Sequence, residues 1–312
     1  MGVRITMKKL VVCLRERGGA GDVLTTFPAA KQLKEDGYTV LYFIEHRFTD
    51  WAKLCPYIDE VIPIPAGIMC WSASPFRDEQ YLVQLMKLTM GRYIVDDVDR
   101  VVNFFDPCVY VERVFATFGI PCPLCRAEMF WLAAGYRLED MPPDPMYGTI
   151  SLDYPKMYEK PYYVVQAHSD APERRLMPPL AVGQKVRSDA LREGVERVFV
   201  VGQYENYTNP LISAIPGAEM ALNLTPERIL GLCVGAERIY TPDSLFIHVA
   251  ACVGVPSTSW FSCTDGHSMT HCYPLAEFIQ GDCDPVCWHL SGSTVRRHVC
   301  LETGICHAFP NQ

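Results

Sequence analysis

The chain has 312 residues, 49% of them hydrophobic and 21% charged, with a formal net charge of −8 and 14 cysteines. That length predicts about two domains and a core large enough to need no covalent staples. The acidic balance disfavours nucleic acid and a membrane surface as partners. No run reaches the roughly 18 to 20 apolar residues of a membrane span. The opening MGVRITMKKL lacks the apolar stretch of a secretion signal. A cytoplasmic protein is therefore expected, with thiols or metal-bound cysteines in preference to disulfides.

In chain order, LVVCL (10–14) reads as a buried strand, and 23–36 as a helix with Leu24, Phe27, Ala30 and Leu33 at helical spacing. TVLYFIE (39–45) is a second strand, RFTDWAKLC a short helix and EVIPIP a third strand. DRVVNFF (99–105) is strand-like, and YVERVFATFG (110–119) is helix-like, closing on Gly119. The segment 137–161, rich in proline, acid and tyrosine, shows no period and reads as a connection. Alternation then resumes: YYVVQA (162–167) strand, DALREGV (189–195) helix, RVFVVG (197–202) strand, 225–236 helix, RIYTP strand, 245–254 helix and STSWFSC strand. Two such series predict α/β domains built on parallel sheets, with ligands outside the carboxyl ends of the strands. The expected organisation is a Rossmann-like domain over 1–150, a second over 151–275, and a Cys-rich tail over 276–312.

Between the first strand and helix lies GGAGDV (18–23). A phosphate-binding Walker loop would end in lysine followed by Ser or Thr, and a dinucleotide loop would read G-x-G-x-x-G; neither is present. Asp22 stands where a phosphate would want a cation. Two roles stay open for it and are compatible: N-cap of the following helix, or general base at the edge of a strand.

The stretch from LVVCLRERGGAGDV through EVIPIP resembles the amino-terminal half of glycosyltransferase family 9, the ADP-heptose heptosyltransferases, with its G-D-V loop and T-x-P-A helix. Some 200 residues on, LGLCVGAERIYTPDSLFIHVAACVGVPSTSWFSCTDG is similar to the family's donor signature, D-S-G-x-x-H-x-A-A-x-x-G-x-P. The resemblance spans most of 9–266. It implies a GT-B fold, with two Rossmann-like domains facing a cleft, and inverting sugar transfer without a catalytic metal. It places the catalytic base on Asp22. It places donor contacts on Thr241, Asp243, Ser244 and His248, on Ser169, Arg174 and Arg175 for the diphosphate, and on Gln203, Glu205 and Thr225 for the nucleotide. Two departures stand out: Leu245 replaces the signature's glycine, and Met177 replaces a tryptophan.

Each assignment competes with a plainer one. His248 lies on an apolar helix face and reads equally as a core histidine, Thr225 as an N-cap, and the arginine pair as a solvated loop. Cys283, Cys287, Cys300 and Cys306 form a four-thiol set suited to structural iron or zinc. Their CDPVCW opening resembles the cysteine finger of autotransporter heptosyltransferases. His289, His298 and His307 are substitute ligands, and buried free thiols are the alternative. The pair Cys122 and Cys125 reads as structural. The expected partners are a nucleotide-diphosphate sugar and an acceptor hydroxyl on a saccharide or protein, with a homo-oligomer as one assembly. A non-catalytic GT-B descendant that uses the tail for assembly is the competing reading, and a nucleotide-sugar epimerase is a third.

Overall fold

The computed structural model describes residues 9–15, 18–65, 98–104, 111, 114–115, 122–169, 177–262 and 264–281. The chain divides into two compact units, one comprising Met1–Cys108 and Ala127–Met141, the other Val109–Arg126 and Pro142–Gln312.

In the first unit, β1 (Lys9–Arg15), β2 (Tyr38–Glu45), β3 (Glu60–Ile64) and β4 (Arg100–Asn103) form a parallel sheet in the order β3-β2-β1-β4. Strands buried on both faces show continuous apolar runs rather than alternation, and Val40 through Ile44 are all buried. The expected helix over 23–36 is two helices, α1 (Ala20–Leu24) and α2 (Phe27–Glu35). Pro28 explains the break. Inside a continuous helix it would lack an N–H, and its ring would meet the carbonyl of Leu24. The chain turns at Thr25 and Thr26, whose hydroxyls donate to the carbonyls of Asp22 (2.9 Å) and Val23 (2.7 Å). Pro28 then occupies the first turn of α2, where its missing donor is harmless. The short α3 (Thr49–Ala52) and α4 (Arg126–Ala133) follow.

The second unit holds β5 (Tyr162–Gln166), β6 (Arg197–Gly202), β7 (Glu219–Leu222), β8 (Arg238–Pro242), β9 (Ser257–Phe261) and β10 (Ala276–Gln280). All pairings are parallel, in the order β10-β9-β8-β5-β6-β7. Its helices are α5 (Pro179–Glu193), α6 (Glu205–Ala214), α7 (Pro226–Cys233), α8 (Leu245–Val253) and α9 (Gly266–Thr270). The core gathers Tyr163, Val165, Val182, Val186, Val200, Leu211 and Tyr240 between β5, β6, β8 and the helices α5 and α6.

Several elements differ from expectation. α5 begins ten residues earlier than the DALREGV segment. α4, α6, β7, α9 and β10 were not anticipated at all. The tail thiols and most of the expected 110–119 helix lie outside the described residues. Cys125 is bonded to Cys272, with their Cα atoms 6.9 Å apart. At this one pair the structure departs from the expectation of thiols in preference to disulfides. The other described cysteines, Cys13, Cys55, Cys122, Cys233 and Cys252, are buried thiols. No helix among the described residues is long and apolar enough to cross a membrane.

Candidate functional site

In an open parallel sheet, ligands bind where the strand order reverses, because neighbouring loops there run in opposite directions and leave a crevice. In the first unit the reversal falls between β1 and β4. Arg15 is the last residue of β1, and its Nη1 donates to the carbonyl of Phe104, just past β4, at 2.7 Å. Its guanidinium lies 5.0 Å from the Phe130 ring centroid and 3.6 Å from Asp22 Oδ2. Both side chains are buried, at 2% and 9% exposure.

Asp22 is not the N-cap. That position belongs to Gly19, and Asp22 is the third residue of α1, its Oδ2 accepting the Gly19 N–H at 2.7 Å. The carboxylate thus supplies the backward half of a capping box and helps satisfy the helix start. Gly18 is required beside it. Its φ is +101°, and a Cβ there would sit 2.3 Å from Asp22 Oδ2 and 2.4 Å from Arg15 Nη2. Burying an ion pair is a poor route to stability, since apolar replacements are often neutral or more stable by about 1–4 kcal/mol. A buried carboxylate at a switch point therefore points to chemistry in addition to capping.

In the second unit the reversal falls between β5 and β8, and the donor-signature residues collect there around Gln166, the last residue of β5. Gln166 Oε1 accepts from the Thr241 hydroxyl (2.7 Å) and the Phe246 N–H (3.3 Å), while its Nε2 donates to Ser244 Oγ at 3.1 Å. Ser244 is the N-cap of α8. Asp243 is buried and accepts from the Thr264 hydroxyl. Leu245 opens α8, half-buried, where the resembling signature has glycine. The structure thus brings Thr241, Asp243 and Ser244 to one strand edge. The residue that ties Thr241 and Ser244 together, Gln166, was missed in the sequence. The available signal was a polar side chain ending a strand buried along its whole length.

His248 points into the core, its Nδ1 2.8 Å from the Tyr273 hydroxyl, with the two rings edge to face. Ser169 is buried just beyond β5. Gln203, between β6 and α6, and Glu205, the first residue of α6, are exposed. Thr225 is the N-cap of α7, its hydroxyl accepting the Arg228 N–H at 3.4 Å. Arg174, Arg175, Cys283, Cys287, Cys300 and Cys306 lie outside the described residues. The buried thiols are poor nucleophiles: burial pushes Cys252 up to about 12 and raises Cys13 and Cys233 further.

The architecture is shared with solved glycosyltransferases. A glycosyl transferase family 9 protein from Veillonella parvula DSM 2008 matches with a TM-score of 0.61, covering 88% of this chain and 87% of its own at 14% identity. E. coli heptosyltransferase WaaC with ADP-2-deoxy-2-fluoro heptose gives 0.54, over 90% and 95%, at 13% identity. The dodecameric iron-containing glycosyltransferase TibC from enterotoxigenic E. coli gives 0.57, over 99% and 76%, at 13% identity. These likenesses identify the α/β architecture with its two parallel sheets as the GT-B fold, similar to family 9 heptosyltransferases over most of the chain. No protein-family model matches the chain, and no curated protein matches it in sequence.

Proposed function

We propose, with the GT-B fold as premise, that this protein is an inverting glycosyltransferase moving a heptose or related sugar from an ADP-linked donor to an acceptor hydroxyl. The observation that carries the reading is the coincidence of two motifs with two switch points. The GGAGDV loop lies at the β1/β4 reversal of one sheet and the TPDSLFIH segment at the β5/β8 reversal of the other. Sequence spacing alone has no reason to produce both.

In this reading, residues 1–150 bind the acceptor and 151–275 the donor. Asp22 accepts the proton of the acceptor hydroxyl as its oxygen attacks the anomeric carbon, and the nucleoside diphosphate leaves from the opposite face. Arg15 holds the carboxylate in place and balances its charge. Thr241, Asp243 and Ser244 contact the donor from the β8 edge, with Gln166 orienting Thr241 and Ser244 and Thr264 bonded to Asp243. Ser169, Arg174 and Arg175 are proposed for the diphosphate, where donors to the developing charge accelerate departure. Gln203, Glu205 and Thr225 are proposed for the nucleotide. WaaC was solved with an ADP-sugar analogue, which supports an ADP-linked donor here. Cys283, Cys287, Cys300 and Cys306 are the proposed ligands of structural iron or zinc, a reading supported by the iron of TibC and tested by metal analysis.

The test is release of nucleoside diphosphate from ADP-, UDP- and GDP-sugars, with saccharide and protein acceptors, by the wild type and Asp22→Asn. Turnover of an ADP-sugar that falls at least about 100-fold in Asp22→Asn, with donor KM unchanged, supports the assignment. Undiminished turnover in Asp22→Asn refutes Asp22 as the base. Donor binding without any transfer or hydrolysis would favour the non-catalytic descendant, for which Leu245 is the first suspect.

A further inference from the structure

The Cys125–Cys272 bond joins the segment before α4 to the turn after α9. A ligand nitrogen of His271 and the Cys125 sulfur lie within 4.8 Å of each other. In a tetrahedral zinc site, sulfur and nitrogen ligands stand about 3.6 Å apart, so the separation needs little adjustment. The Nδ1 of His271 is 3.2 Å from the carbonyl oxygen of His267, one helical turn back. In that contact Nδ1–H donates to the carbonyl, the kind of outer hydrogen bond that orients metal-bound histidines. A disulfide has no use for an oriented imidazole. The other described cysteines are thiols, the pattern of a reducing environment, and a chain of this size does not need a staple.

We propose that Cys125, Cys272 and His271 form a Zn²⁺ site whose oxidised form is the Cys125–Cys272 disulfide. On spacing alone, Cys122 is the fourth ligand, because Cys122-Pro-Leu-Cys125 has the C-x2-C spacing common in structural zinc sites. The site opens by exchange with a dithiol reductant. Two electrons and two protons pass to the S–S bond to give two Cys thiols, while the dithiol closes to its own disulfide. The thiols then release their protons as zinc binds. Cys125 is buried, Cys272 half-buried and His271 exposed, so ion and reductant approach from the histidine side. Metal and disulfide are alternative ties between the same two segments.

The experiment uses the full chain reduced with a phosphine, loaded with ZnCl₂ and desalted, with zinc per chain measured by mass spectrometry. Counting by difference separates this site from the tail thiols. Wild type is expected to hold one equivalent more than Cys125→Ser/Cys272→Ser, and His271→Ala to bind that equivalent at least about tenfold more weakly, the least that losing even an outer partner of a ligand costs. Oxidation of the wild type should release one equivalent, and reduction should restore it. A second measurement needs no variant: zinc should slow iodoacetamide labelling of Cys125, Cys272 and Cys122 at least tenfold, read by peptide mass spectrometry. Equal zinc in wild type and the double variant, or labelling of Cys125 and Cys272 unaffected by zinc, overturns the proposal.

Discussion

Gly18 and Gly37 separate two consequences of a positive φ. Both lie in the left-handed region, at +101° and +88°, but a Cβ at Gly37 meets nothing within 4 Å. Gly37→Ala should therefore cost only the backbone strain, about 1–2 kcal/mol, with activity retained. Gly18→Ala adds a clash with both members of the Arg15–Asp22 pair and should abolish transfer as well. Denaturant midpoints and kcat/KM for the two variants check this, and equal activity in both would remove the pair from the site. Gln166 makes a sharper case. Gln166→Leu leaves the Phe246 N–H without its acceptor, at about 1–3 kcal/mol for a buried group, while the Thr241 hydroxyl keeps the Pro242 carbonyl at 2.8 Å. Gln166→Glu keeps both acceptor contacts and loses only the donation to Ser244. Donor KM should rise in both, and stability should fall mainly in the leucine variant. Asp22 could be singled out from the sequence because a carboxylate in a glycine loop is unusual. Its partner Arg15 could not, because only the return of β4 past β1 brings the Phe104 carbonyl to it.

The helix α5 shows why an element can be hidden in its own sequence. Its buried positions include Val182, Val186 and Asp189, so the inward stripe carries a carboxylate where an apolar residue would announce it. Asp189 is paired with Lys185 (2.7 Å) and Arg192 (2.8 Å), and it accepts from Tyr240 on β8 at 2.8 Å. Burial alone pushes this carboxyl up, but hydrogen bonds from Lys185 and Tyr240 and the two cationic charges outweigh it, leaving it below the usual value of 3.8. Glu193, held by the Tyr163 hydroxyl and Arg192, is lowered as well. A carboxyl lowered in the folded state adds stability above its unfolded pKa and loses it as pH falls through the folded one. Stability should thus decline below about pH 4, and Asp189→Asn should be less stable at pH 7 with a flatter acid limb. Urea midpoints from pH 3 to 7 check both, and parallel curves for the two proteins would contradict the pairing. The other missed elements have equally physical reasons. α6 carries an internal proline, Pro210, and reads as loop. β7 and β10 are short edge strands with no buried residue, and no sustained apolar run marks them. The buried central strands were legible because their apolar runs have no other use.

Alternation along the chain announces parallel sheets, yet strand order is a property of the whole unit, and strand order makes the switch points. β5 enters first at the middle of its sheet, β6 and β7 extend it one way, and β8, β9 and β10 the other. Thr241 and Gln166 are 75 positions apart and meet only because of that reversal. A nucleotide bound there should report on the second unit alone. At 100 times its Kd a ligand adds about 2.7 kcal/mol to the native state it binds. ADP is therefore expected to slow hydrogen exchange at the ends of β5 and β8 and the first turn of α8, while β1–β4 exchange at the unliganded rate. An acceptor analogue should protect the 18–24 loop instead. Two compact units can also melt in separate transitions. In that case ADP should raise only one of them, and that one should be insensitive to Gly18→Ala but lowered by Gln166→Leu. Protection by ADP confined to the 18–24 loop would reverse the assignment of donor and acceptor to the two units.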